Sequence, residues 1–274
     1  MLSIIVIKFS TTPFFSHLYF FCNLFLDWCK ISVKLFSTAY HNCHIQRLQH
    51  RGTNRHAVFL VTESEAIAYH YELDLRSESV QPDPRIAHTL NLRTDEYGNV
   101  LESIAVTYPR IGRYLDSTLR DEYLNLIAGV QQERHLVYTV NRFTPPVIGD
   151  NHYRLPLPYE VTTYELMGFS PSSPIYFTLA ELRNANLSNP DLEIPYHINR
   201  TTPAKRLVEQ VRMLYFRDDM QTHLPLGQVN ALAMPYETYK LALTDDLLNA
   251  VLLAQLTPDV RRDLADADLS GYPD

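Results

Sequence analysis

Beyond residue 43 the chain has no cysteine; Cys22, Cys29 and Cys43 are the only three. A disulfide framework and a cysteine-based zinc site are therefore excluded from the main body, and the redox compartment is left unmarked. Glycine is also scarce, with 8 residues against 17 prolines, which predicts extended and turn segments and few phosphate-cradling loops. Positive charge is in deficit: a formal net charge of -7 presents no general basic face to nucleic acid. No nucleophile elbow, P-loop or HExxH helix occurs anywhere in the chain. What is present is packable. The sequence is 46% hydrophobic with 18 Tyr and 12 Phe, which excludes disorder, and 274 residues suffice for one large or two modest domains.

Composition changes sharply near residue 40. Phe9, Phe14, Phe15, Phe20, Phe21, Phe25, Phe36 and the single Trp28 all precede it. The run from Phe9 to Leu26 is uncharged but interrupted by Pro13, His17 and Asn23, with no small-residue cleavage site. It reads either as a membrane anchor or as sequence foreign to the main body, such as translated upstream or intronic DNA. The abruptness of the change favours the second, so residues 1–40 are expected to pack poorly against the rest.

From Asp83 to Arg110 the pattern is that of two long strands around a tight turn at Tyr97-Gly98-Asn99. Ile86, Leu90 and Leu92 share one parity before the turn, and Val100, Ile104, Val106 and Tyr108 share one after it. That period of two is what a half-buried strand requires. Gly98 supplies the positive φ of a hairpin turn and Asn99 tolerates it, so these two are structural turn residues rather than ligands. A second hairpin is expected from Ala57–Thr62 and Glu65–Glu72, with Ile67, Tyr69 and Tyr71 on one face. Leu119, Tyr123, Leu126 and Ile127 predict a short amphipathic helix within Asp116–Gln132. Residues 135–144 alternate as a strand ended by Pro145 and Pro146, and Val161–Leu166 reads as another.

Further on, Thr178 with Glu181 forms a capping box ahead of a helix over residues 179–184, and 185–200 read as loop. Leu207–Phe216 fits helical and strand spacing equally, so periodicity leaves it open. Pro235–Leu243 reads as strand, Thr244 caps a helix with Asp245 and Asp246 in its first turn, and Thr257-Pro258-Asp259 starts another. Pro158-Tyr159-Glu160 and Pro235-Tyr236-Glu237 echo each other as proline-led strand starts, too briefly to make a repeat. The fold class is mainly β with a few short helices, built of antiparallel hairpins.

Candidate chemistry is thin. His41, Cys43, His44, His50 and His56 are dense, but their spacing fits no zinc finger, so a solvated polar segment is the expectation. Arg47, Arg51 and Arg55 are expected to pair locally in an acidic chain. His70 and His88 fall in strands, and His88 is in phase with the apolar face, as a packed, hydrogen-bonded histidine would be. Asp95 and Glu96 are adjacent on a strand and point to opposite faces, so they cannot converge on one substrate atom. Asn186-Leu187-Ser188 and Asn199-Arg200-Thr201 match the glycosylation pattern, which matters only in a secreted eukaryotic protein. No catalytic residue, metal ligand or cofactor site is expected.

Three segments carry a family resemblance: RLQHRGTNRHAVFLVTESEAIAYHYE, DPRIAHTLNLRTDEYGNVLESIAVTYPR and YRLPLPYEVTTYELMGF. With YFTLAELR, KRLVEQVRMLYFRDD, LPLG and PYETYKLALT in order, residues 44–248 resemble the middle-to-C-terminal region of the B subunit of bacterial insecticidal toxin complexes, TcdB/SpvB type. The resemblance implies a structural role. Such a subunit pairs with a C subunit in a hollow shell of RHS-type β-hairpins around an unfolded toxic payload, and a propeller docks it on the pore-forming A subunit. It implies a secreted virulence factor, no enzyme activity, and a strand for Leu207–Phe216. Residues 41–248 are then the family region and 249–274 a loosely matching helical tail. The family's N-terminal domain and propeller are not in this sequence, so a fragment is expected. The rival expectation is a stand-alone β-rich binding module, secreted or anchored through residues 9–26.

Overall fold

The computed structural model describes residues 5–7, 37–52, 54–71, 83–173 and 175–265. Apart from a three-residue strand β1 (Ile5–Ile7), the expectations for residues 1–36, the anchor at 9–26 included, lie outside the described residues. The chain divides into two compact units, Met1–Leu90 with Ala105–His135, and Asn91–Ile104 with Leu136–Asp274.

In the first unit β1 runs parallel to β2 (Ser37–Gln49), which pairs antiparallel with β3 (Val58–His70), and β3 with β4 (Arg85–Thr94). One expectation is corrected here. No hairpin turn separates Thr62 from Glu65: β3 is one continuous strand. Thr62-Glu63-Ser64-Glu65 contains no glycine, asparagine or proline to supply turn geometry. It forms a β-bulge instead, with Asn42 opposite Glu65, Cys43 opposite Glu63, and the extra Ser64 donating its hydroxyl to the Asn42 carbonyl at 3.0 Å. The histidine-rich stretch from 41 agrees with the sequence reading in its exposure. It is solvated over residues 44–49, yet it is a strand, because β3 supplies its ladder without requiring an apolar face.

On β4 the alternation is complete, with Ile86, His88, Leu90 and Leu92 all buried. The return strand β5 (Val100–Thr107) buries Ile104 and Val106, and Tyr108 just beyond it is buried too. Helix α1 (Asp121–Gln131) starts later than the sequence pattern allows, because Asp116 accepts from the Thr118 backbone at 2.8 Å and turns the chain. None of its residues is buried; Leu126 is 67% exposed and Val130 60%.

The second unit is built on β6 (His135–Phe143), β9 (Pro158–Met167) and β11 (Ala204–Tyr215), with β9 central and antiparallel to both neighbours. A small hairpin of β7 (Val147–Gly149) and β8 (His152–Arg154) forms its own ladder, not hydrogen-bonded into this sheet. The far edge of β11 is shared. Its first half pairs with β10 (Glu193–Ile194) and its second with β12 (Pro235–Lys240), the bulge at Val208 falling between them. Leu207–Phe216 is thus resolved as strand over all but its last residue, since ladders on both sides fix a segment whose side-chain spacing is ambiguous.

Helix α2 (Leu179–Asn184) carries the complete Thr178–Glu181 capping box and buries Leu182. Phe177, Leu187 and Ile194, which flank it in the chain, are buried as well. Tyr215, Val229 and Ala233 form a separate small core with Val147, Leu157, Tyr159 and Met213 against it. Thr244 caps α3 (Asp245–Leu252) by accepting from Leu247, and α4 (Pro258–Ala265) opens on its proline. The described architecture is mainly β, with few and short helices.

Candidate functional site

At the hairpin tip the loop Glu96-Tyr97-Gly98 is closed by Gly98 donating to the Asp95 carbonyl at 3.2 Å and Asp95 donating to the Asn99 carbonyl at 3.0 Å. Gly98 takes φ 87°, the left-handed position of a three-residue hairpin loop. Asn99 acts through hydrogen bonds instead. Its backbone donates to Asp95 Oδ1 at 2.8 Å and its amide to Oδ2 at 2.9 Å, while Tyr97 donates to Oδ1 at 2.9 Å. Asp95 is therefore a turn residue with both oxygens engaged. Replacing Gly98 with alanine is expected to cost about 1–2 kcal/mol, the penalty of a left-handed L-residue. A shift in urea midpoint checks it.

The middle of the second unit holds three-strand rungs on one face. Arg142, Glu160 and Arg212 are register partners on β6, β9 and β11. Glu160 is 4% exposed; Arg142 Nε reaches its Oε1 at 3.1 Å and Arg212 Nε its Oε2 at 2.6 Å. The next rung in phase joins Val140, Thr162 and Gln210, with Gln210 donating to the Thr162 hydroxyl at 3.3 Å. Then come Tyr138, Tyr164 and Leu207, and last Leu136, Leu166 and Lys205. Tyr138 and Tyr164 stack at 6.0 Å, and Tyr138 donates to Glu102 Oε2 at 2.8 Å while Arg93 holds Oε1 at 2.6 Å. Burial, then Glu102, pushes the Tyr138 phenol up; burial, then Glu193, pushes Tyr164 up to about 12. Both stay protonated donors.

Lys205, 4% exposed, donates to the Leu187 carbonyl at 2.8 Å, lies 3.4 Å from Glu193 and sits 4.9 Å over the Tyr164 ring. These carboxylates are matched to cations or phenols, which suits holding strands in register rather than moving protons. Sequence reasoning missed them all. Each residue is unremarkable alone, and only the long-range register brings the three strands' positions together.

The remaining candidates do not converge. His41 meets Glu63 at 2.5 Å, and His44, His50 and His56 are exposed; among the described residues no group of three or more His, Cys, Asp or Glu is placed to hold a metal. Arg47, Arg51 and Arg55 are exposed, and Cys43 is a free thiol. His70 ends β3 exposed, whereas His88 is buried with both ring nitrogens bonded. Asn186 takes φ 48° in a turn, and the Asn199 side chain accepts from Arg206 at 3.1 Å. A shallow groove of about 220 Å³, bordered by Tyr196, Leu207, Val208 and Leu247, has no charged cluster of its own. No described helix is long and apolar enough to cross a membrane.

Residues 25–156 match a protein family described as the insecticide toxin TcdB middle/C-terminal region, a span that includes part of the segment before residue 40. The fold is similar to the crystal structure of TcdB2-TccC3-Cdc42, at 21% identity and a TM-score of 0.56, over 85% of this chain and 10% of that one. It is similar also to TcdB2-TccC3 without its hypervariable C-terminal region, at 20% identity and a TM-score of 0.57, over the same shares. The chain spans about a tenth of the length of those chains, and at that identity the likeness is one of fold. Comparison with curated proteins gives no match.

Proposed function

Because the chain carries a TcdB-type insecticidal toxin B-subunit region, we propose that it is a wall element of the shell that a B and a C subunit build around the toxic payload. It performs no catalysis. Its partner is the C subunit, and any link to the pore-forming A subunit runs through B-subunit regions outside this chain. It is made in the cytoplasm and acts after secretion.

One observation supports this reading: 85% of the chain takes a fold similar to about a tenth of the chain in structures of TcdB2-TccC3. The physics agrees. Cross-strand rungs each contribute about 0.2–1 kcal/mol, so a wall gains stability by repetition rather than from one dense core. Apolar side chains also remain uncovered where neighbours would lie. On one face of the β2–β3 ribbon Ile45 is opposite Val61, with Phe59 beside it, and these three are 50%, 55% and 54% exposed.

Hydrogen exchange of the full chain with and without a TccC3-type C subunit tests the reading. Protection gained by residues 45–48 and 58–61 on addition of the C subunit is expected. An unchanged exchange pattern contradicts it.

A further inference from the structure

We infer that Asn42, Glu65, His88 and Tyr108 form an acid-sensitive latch that holds β2, β3 and β4 to the end of β5 in the first unit. The Asn42 amide donates to Glu65 Oε2 at 2.8 Å, His88 Nε2 lies 2.8 Å from Glu65 Oε1, and His88 Nδ1 lies 2.9 Å from the Tyr108 hydroxyl. Four side chains from four segments thus form one continuous relay.

Donor and acceptor chemistry assigns the protons. An ionised carboxylate only accepts, so the ring carries its hydrogen on Nε2 and donates it to Glu65. Nδ1 is then bare and accepts the phenol O–H of Tyr108. The ring is 3% exposed and stacks on the Tyr108 ring, centroids 5.9 Å apart. A second proton taken from water can bond only to Nδ1, where the phenol hydrogen already points. Tyr108 must then give up its donation, and a buried cation replaces a neutral ring.

Among the described residues Glu65 on β3 is the carboxylate bonded to the ring, and Tyr108 is the titratable group on its other side. The phenols of Tyr40 on β2 and Tyr69 on β3 share that face. Glu65 favours the charged imidazole, but burial outweighs it and holds the His88 pKa below its ordinary 6.5. The contact is therefore a hydrogen bond from a neutral ring, although its distance would also suit an ion pair.

Well above pH 6.5 the ring is neutral in both folded and unfolded chains, and the latch contributes fully. As pH falls below that value the unfolded chain takes the proton first, so stability declines until the folded ring is protonated too. The latch belongs to the first unit and holds whether or not the chain is a shell element.

Hydrogen exchange of the full chain between about pH 7.5 and about pH 5.5, corrected for intrinsic rates, reads it out. Amides of residues 86–90 are expected to lose protection in acid, and His88→Gln, which donates and accepts without titrating, to abolish that loss. Tyr108→Phe leaves Nδ1 free to take the proton, so its acid loss shrinks. Should neither variant fold, nitrogen-labelled histidine in the unaltered chain reports the tautomer and midpoint directly. A titration midpoint at or above 6.5, a hydrogen resident on Nδ1, or an unchanged acid loss in a folded His88→Gln chain overturns the latch.

Discussion

Replacing Glu160 with alanine is expected to destabilise the second unit by about 3 kcal/mol. The carboxylate is 4% exposed and holds Arg212 and Arg142 from opposite sides of the central strand. Burying a charge costs several kcal/mol and is offset only while its partners remain, so removing the middle member leaves the flanking cations facing each other across β9. The two arginines are not equivalent. Arg142 is 61% exposed and turns to water, so Arg142→Ala should cost under about 1 kcal/mol. Arg212 is 20% exposed and loses a 2.6 Å partner. Glu160→Gln keeps shape and one acceptor and should fall between the two. Pulse proteolysis in urea ranks the three variants, and equal midpoints for Glu160→Ala and Arg142→Ala would show that the rung contributes nothing.

Gly168→Ala should cost about 3 kcal/mol or more, for two additive reasons. The backbone sits at φ +73°, which an alanine reaches only at about 1–2 kcal/mol. A Cβ there would also lie 2.2 Å from the Thr202 carbonyl carbon, 2.3 Å from its oxygen and 2.6 Å from the Pro203 nitrogen. These are backbone atoms just ahead of β11, pinned by the proline ring, so relief requires the start of β11 to move. That disturbs the pairing of Ala204 with Met167. Gly129 in α1 is the control: a Cβ there meets nothing within 4 Å, and Gly129→Ala should stabilise by roughly 0.5–1 kcal/mol. Opposite signs at the two sites in urea denaturation are the expected result.

Legibility in the sequence tracks the range of the interactions. The β4–β5 hairpin was legible because alternation, a left-handed glycine and a polar turn all lie within one stretch of chain. The capping box at Thr178 was legible for the same reason, its reciprocal bonds joining residues three apart. β2 was not, because a ribbon solvated along much of its length has no apolar alternation to display. In β3 two glutamates flanking a serine imitated a polar turn where the chain only bulges. β11 stayed open until its two ladders were known.

The polar rungs lie furthest from the sequence. Arg142, Glu160 and Arg212 meet only through the registers of two antiparallel pairs, and a one-residue slip in either would send them to opposite faces. The short echo at Pro158-Tyr159-Glu160 and Pro235-Tyr236-Glu237 also gains meaning from the fold. Both prolines open strands, and those strands, β9 and β12, lie on either side of β11.

The wall reading stands most directly on sedimentation velocity of the full chain, alone and with a TccC3-type C subunit. Alone, its uncovered ribbon face and α1 should drive it into a polydisperse distribution, and the C subunit should collect it into one defined species. A monodisperse monomer that melts cooperatively and ignores the C subunit would contradict the wall.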